Sequence, residues 1–247
     1  MTLEHRFLVR LGEETVPRYN VAPAQDVLAV VPNSDGGRKA VRLRWGLVPS
    51  WAREPKAGPI NARAETAAEK PMFRQSIRRR GCLILADGFY EWDNREPRKQ
   101  PYLFRLEDEA PFAFAGLWER WEGPGGPLLT CCLLTARANE LVAPIHDRIP
   151  VILRPEWEAS WLDLEIAAPR ELEPALEPYP AEEMQSYPVS TRVNCRGTTT
   201  RNASSRCIHS RSMTLRTARC PGTTGSPVTG ADKAPGAIRG TRSTLDG

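Results

Sequence analysis

The sequence predicts an α+β fold built as one domain, and three observations predict it. Runs with strand character recur at short intervals, helix-length amphipathic stretches are few and brief, and a Gly- and Pro-rich turn at 123–127 separates two apolar runs as a hairpin would. No Gly-rich phosphate loop and no internal repeat is present, so nothing supports a βαβ nucleotide fold. At 247 residues the chain is long enough to bury a sizeable core.

Taken in order, strands are expected at 26–31, 40–48, 81–86, 101–106, 111–118, 128–135 and 150–153, where Val, Leu and aromatic residues alternate or run together. Helices are expected at 64–79, 137–144 and 155–162. The last opens on Pro155 and ends with Trp157, Trp161 and Leu162 spaced to pack one face.

The chain divides at residue 194. Beyond it there is no Trp, Tyr or Phe, and Thr, Arg, Ser and Gly crowd the segment. Such a composition cannot bury enough apolar surface to offset its ordering entropy, so 195–247 reads as a basic, disordered or out-of-frame tail. It also carries the net charge. Nine of the 34 Lys and Arg and two of the 30 Asp and Glu lie there, which leaves 25 basic and 28 acidic residues in the first 194. A polyanion site in the body must therefore be a local patch. Cys195, Cys207 and Cys220 lack zinc-site spacing, and no cofactor or metal is called for. No apolar run is long enough to cross a membrane and the N-terminus lacks a secretory core, so a cytoplasmic monomer is expected.

Three stretches hold the chemistry: 59–66 (PINARAET), 86–92 (ADGFYEW) and 145–150 (IHDRIP). They offer one amide, Asn61, one carboxylate, Glu91, and one imidazole, His146, each flanked by apolar residues that would fix it. Each also has a plain structural reading. Asn61 suits a helix cap before Ala64. Strand alternation turns Glu91 away from Tyr90 and Trp92, to water in the simplest case. His146 suits a hydrogen-bonded core position. Arg63 and Arg148 are residue types that commonly form surface ion pairs, and Cys82, Cys131 and Cys132 fit as small core residues.

The blocks RYNVAP (18–23), WGLVPSW (45–51), INARAET (60–66), ADGFYEW (86–92), HDRIP (146–150) and PVS (188–190) resemble, in order, the signature of the SRAP (SOS response-associated peptidase) family of abasic-site processing proteins. The resemblance covers residues 18–194. It implies one domain of curled antiparallel sheets, a pseudo-barrel, with short flanking helices and a groove for single-stranded DNA carrying abasic sites. In the family a cysteine following the initiator Met reacts through its amine and thiol with the ring-opened abasic sugar, giving a thiazolidine crosslink, a lyase-like and peptidase-like activity. By the resemblance, Glu91 would shuttle the proton of ring opening, His146 would protonate or steady the released sugar oxygen, and Asn61 would align amine and sugar. Arg63 and Arg148 would contact phosphates. Trp45, Pro49 and Trp51 would wedge against or stack on bases, with a core role as the alternative for the tryptophans. Asn20 and Pro23 join the DNA-contacting set.

The chain departs from that pattern at its start. Position 2 is Thr2, and the first cysteine is Cys82. The expectation is impaired crosslinking: an imine from the Thr2 amine, or non-covalent binding of single-stranded DNA by a pseudoenzyme. A start assigned too far downstream would account for it. A peptidase confined to self-processing is the further alternative, and no Ser-His-Asp spacing replaces the missing thiol.

Overall fold

The computed structural model describes residues 2–12, 16–56, 58–95, 99–163 and 169–194, with the backbone of 214–216. Strands β1 (Asp26–Pro32), β2 (Arg38–Trp45), β3 (Asn61–Arg63), β4 (Gly81–Ala86), β5 (Gly88–Asp93), β6 (Gln100–Leu106), β7 (Phe112–Gly123), β8 (Gly126–Arg137), β9 (Arg148–Pro150), β10 (Ile152–Leu153), β11 (Met184–Pro188) and β12 (Thr214–Arg216) form two sheets. Because β7 pairs with both β4 and β8, the path β7-β4-β1-β2-β8 closes into a five-strand barrel, with β3, β9 and β10 attached. The second sheet runs β11-β6-β5-β12.

Most pairs are antiparallel as expected, but β2 and β3 both run parallel to β8. Strand β7 turns into β8 at Gly123↔Gly126, the hairpin read from the sequence. Gly126 there adopts φ +96°, which is open to glycine and strained for other residues.

Alternation along the barrel strands buries both faces, which is why β1 reads as the nearly continuous apolar run DVLAVVP. On one face Leu28, Val30, Leu83 and Leu117 pack under helices α1 (Leu3–Phe7), α2 (Ala64–Ala67), α3 (Ser76–Arg79) and α4 (Pro155–Leu162). On the other, Val27, Leu43, Trp45 and Phe114 meet Phe89, Phe104 and Met184 of the second sheet. Phe89 stacks on Phe104 at 5.2 Å and meets Phe114 edge-on at 6.0 Å, joining the two sheets through aromatic contacts.

Helix α4 spans the predicted 155–162. The predicted helix 64–79 is instead two single turns, α2 and α3, because Pro71 lacks the N–H a continuous helix needs and disfavours helical backbone at Lys70. The predicted helix 137–144 is a series of turns. Asn139 Oδ1 accepts from the Val142 N–H at 3.0 Å, and Pro144 cannot donate. The predicted strand 150–153 is split between β9 and β10.

Helix α1 was not anticipated. Thr2 Oγ1 caps it by accepting from the His5 N–H at 3.2 Å, Leu3 and Phe7 are buried, and Arg6 forms a double hydrogen bond with buried Glu158 of α4 at 3.0 and 2.6 Å. Arg38 adds a second cation 3.7 Å from Glu158. These groups hold α1 on the helix-covered face of the barrel. Of the tail, residues 195–213 and 217–247 and their three cysteines lie outside the described residues. Thr214–Arg216 pairs antiparallel with Gly88–Tyr90 on the edge of β5. Among the described residues no helix is long and apolar enough to cross a membrane.

Candidate nucleic-acid site

The first group comes from the strands around β8. Asn61 opens β3 and lies opposite Leu133, and Arg63 lies opposite Thr135. The parallel register puts Asn61 on the side of β8 that carries Leu133, the side that meets the second sheet. Asn61 is therefore a strand residue, and the residue that precedes α2 as its cap is Arg63, without a side-chain capping bond. Asn61 Oδ1 is buried and has no hydrogen-bond partner among the described residues. An unsatisfied buried acceptor costs on the order of 1–3 kcal/mol, and this oxygen has capacity to accept a hydrogen bond.

Glu91 comes from the facing sheet. It sits on β5 opposite Tyr102, on the strand face that also carries Phe89, and that face turns toward the barrel. Alternation does separate it from Tyr90 and Trp92, but the simple outward reading fails: Glu91 is only 7% exposed. Burial raises its pKa to about 7; the nearby His146 and the Trp92 backbone N–H oppose the rise, and Asp147 adds to it.

His146 lies in the turn between β8 and β9, which Ala138 N–H closes on Asp147 O at 3.0 Å. The imidazole is 43% exposed rather than buried in the core. Its Nδ1 is 3.0 Å from the Arg148 N–H, which it can accept, and 3.1 Å from Arg148 O, to which it can donate when protonated. Electrostatic action of His146 and Asp147 on Glu91 places the imidazole and the carboxyl in one neighbourhood. A buried acid with a pKa of about 7, acted on by a nearby imidazole, can move a proton in either direction at neutral pH.

The arginines flank this neighbourhood. Arg148 donates to Glu65 through Nη1 and Nη2, both at 2.7 Å, and Nη2 also donates to Thr135 O. Arg63 is exposed. Glu65 was not singled out from the sequence, although it lies inside the INARAET block; an exposed glutamate carries no local signal of its own.

The aromatic loop needs a correction. Trp45 is fully buried, following Leu43 into the core by alternation, and its Nε1 donates to Ile60 O at 2.9 Å. It therefore has no face to offer a base, and Pro49 is buried as well. Gly46 at φ +137° turns the chain out of β2, and Val48 N–H donates to Thr130 Oγ1 at 2.9 Å. Trp121 Nε1 holds Ala52 O at 2.7 Å. Between these anchors Trp51 stands 67% exposed, the aromatic of the loop that is open to stacking. Asn20 is buried and donates to Val193 O at 2.8 Å, a tie between chain segments rather than an outward contact; Pro23 is half-buried. Cys82, Cys131 and Cys132 are free thiols buried in the core, with pKa raised by burial. Among the described residues no group of three or more His, Cys, Asp or Glu is arranged to hold a metal ion.

A closed five-strand barrel joined to a second sheet, with few and short helices, defines a class of mixed α/β proteins. The family model described as SOS response associated peptidase (SRAP) matches residues 2–196, and the chain belongs to that family. It is 47% identical over 182 residues to abasic site processing protein YoqW of Bacillus subtilis, covering 72% of this chain and 81% of that protein. It is 34% identical over 185 residues to abasic site processing protein YedK of Escherichia coli, covering 73% and 80%. A crystal structure of a protein from Bacteroides thetaiotaomicron superposes with a TM-score of 0.64 at 28% identity, covering 80% of this chain and 84% of that one.

Proposed function

We propose that this chain binds single-stranded DNA at abasic sites and opens the abasic sugar while holding it reversibly. The observation that carries the reading is Glu91: a buried carboxyl with a pKa of about 7, acted on by His146, on the sheet face turned toward the barrel. The closed sugar is a hemiacetal. Glu91 as carboxylate takes the proton from the C1 hydroxyl while His146, as imidazolium, gives one to the ring oxygen; the C1–O bond breaks and C1 becomes an aldehyde. The proton then returns from Glu91 to the imidazole through the site or solvent. Asn61 Oδ1 receives a hydroxyl donor of the sugar. Arg63 and Arg148 serve the backbone and Trp51 a neighbouring base.

Position 2 supplies an amine and a hydroxyl but no thiol. The cap and ion pairs that fix α1 hold Thr2 on the helix-covered face of the barrel, away from the face to which β5 belongs. With Thr2 held there, this end of the chain forms no bond to the opened sugar, and capture is reversible and non-covalent. The same placement of α1 favours, as a second reading, a plain single-strand binder in which Glu91 performs no chemistry.

The test compares binding to three oligonucleotides: intact, carrying an abasic site, and carrying a tetrahydrofuran analogue that cannot open. Preference for the natural abasic site over the analogue, reduced by Glu91→Gln and by His146→Ala, is the expected result. Equal binding of both lesions leaves only the plain binder. A heat-stable adduct on a denaturing gel would overturn the reversible assignment.

A further inference from the structure

We infer that Glu65 is an internal stand-in for a DNA phosphate: its carboxylate fills the fork of Arg148, beside Arg63, in the DNA-free protein and is displaced when a strand binds. The inference rests on the phosphate roles proposed for these two arginines and adds a competitor to them.

Three features point to it. The first is geometry: Nη1 donates to Oε1 and Nη2 to Oε2, each at 2.7 Å, the paired arrangement a guanidinium also makes with two phosphate oxygens. The second is that both arginines act on the same anion. Arg148 by its hydrogen bonds, and more weakly Arg63 by charge from two residues away, hold the Glu65 carboxyl below its ordinary pKa.

The third is the unequal anchoring of the pair. Arg148 does not need Glu65 to stay in place: its guanidinium also donates to Thr135 O, its backbone N–H is held by His146 Nδ1, and its side chain is only 20% exposed. Glu65 rides on the single turn of α2 and is 51% exposed. It can swing into water while Arg148 remains. An ion pair with so exposed a partner contributes roughly 0–1 kcal/mol, so a phosphate contacting both cations displaces it at small cost. A carboxylate kept there instead makes binding selective for strands that bring a phosphate to both arginines at once.

The experiment measures the affinity of a fluorescent oligothymidine without lesions, by anisotropy at fixed salt, so that sugar chemistry plays no part. Glu65→Gln is expected to tighten binding about two- to fivefold, corresponding to release of a competitor of this strength. The gain is expected to shrink to that of a distant charge in an Arg148→Ala background, the signature of direct coupling. Glu69→Gln, on an exposed residue after the same turn, sets the size of the generic charge effect. Glu65→Ala supplies a second variant with the same expected sign, and thermal melts verify that each folds. If Arg148→Ala weakens binding while both Glu65 variants bind as wild type or less well, Glu65 is a support for Arg148 and the inference falls alone. If wild-type protein does not bind the oligothymidine, or Arg63→Ala and Arg148→Ala leave binding unchanged, the phosphate reading falls and takes the inference with it.

Discussion

Replacing Glu91 with glutamine tests the electrostatics of the cleft without any substrate. The rise of the carboxyl from 4.5 to about 7, at about 1.4 kcal/mol per pH unit, makes the ionised form cost on the order of 3 kcal/mol in the folded state. The folded state binds this proton more tightly than the unfolded chain does. The stability contributed by protonated Glu91 is therefore fully present below about pH 4.5, is lost as pH rises toward 7, and stays lost above that. Glutamine keeps the shape and never ionises. Against wild type, Glu91→Gln is expected to be near neutral at the acid end and stabilising by about 3 kcal/mol above pH 7, a Tm gain of roughly 6–12 °C for a chain of this size. Paired thermal melts from pH 4.5 to 8.5 at constant ionic strength measure it. His146→Ala provides an internal check, because losing the charge that favours ionised Glu91 moves the wild-type transition to higher pH. A Tm difference that does not change with pH would show that Glu91 titrates as an ordinary exposed acid and would refute the reasoning.

Other substitutions separate support from contact. Trp45→Ala is expected to cost about 3–5 kcal/mol in chemical denaturation, as for a fully buried aromatic. Trp51→Ala leaves stability within about 0.5 kcal/mol but weakens single-strand binding by about 1–3 kcal/mol if the exposed indole stacks on a base. Arg6→Ala strands buried Glu158 beside the more distant Arg38, and a loss of about 3 kcal/mol, with faster proteolysis at α1, is expected. Asn61→Ala removes an acceptor that no described group satisfies, so stability holds or rises slightly while preference for the natural abasic site falls.

Much of the architecture was legible because most barrel strands announce themselves. Runs such as DVLAVVP and GCLILA carry apolar side chains on both faces, and both faces of the barrel sheet are in fact covered. The hairpin at 123–127 was readable from its glycines. What the pattern did not disclose were elements that exist by tertiary context. Strand β3 has three residues and is formed by pairing with β8, and β11 is held by β6. Helix α1 depends on an ion pair to a residue 152 positions away. The overlong helix prediction at 64–79 came from composition outweighing Pro71, and the one at 137–144 from overlooking the local hydrogen bond of Asn139.

The candidate site shows why residue types were readable and environments were not. A sequence states that position 91 is acidic and that its neighbours point elsewhere, but whether that face meets water depends on which sheet lies across from it. Here the opposing surface is the barrel face carrying Trp45 and Phe114, so the outward reading of Glu91 reverses into burial, and burial is what moves the carboxyl into the neutral range. The same packing decides the tryptophans. Trp45 and Trp51 stand in one motif six residues apart, yet alternation sends the first into the core, and Gly46 turns the chain so that the second is carried out to solvent. A signature block thus mixes residues kept for packing with residues free to contact a ligand, and only the fold distributes them. Trp51 falls on the exposed side of that division, Trp45 and Pro49 on the packing side, and Glu91 is the acid that packing buries and thereby tunes.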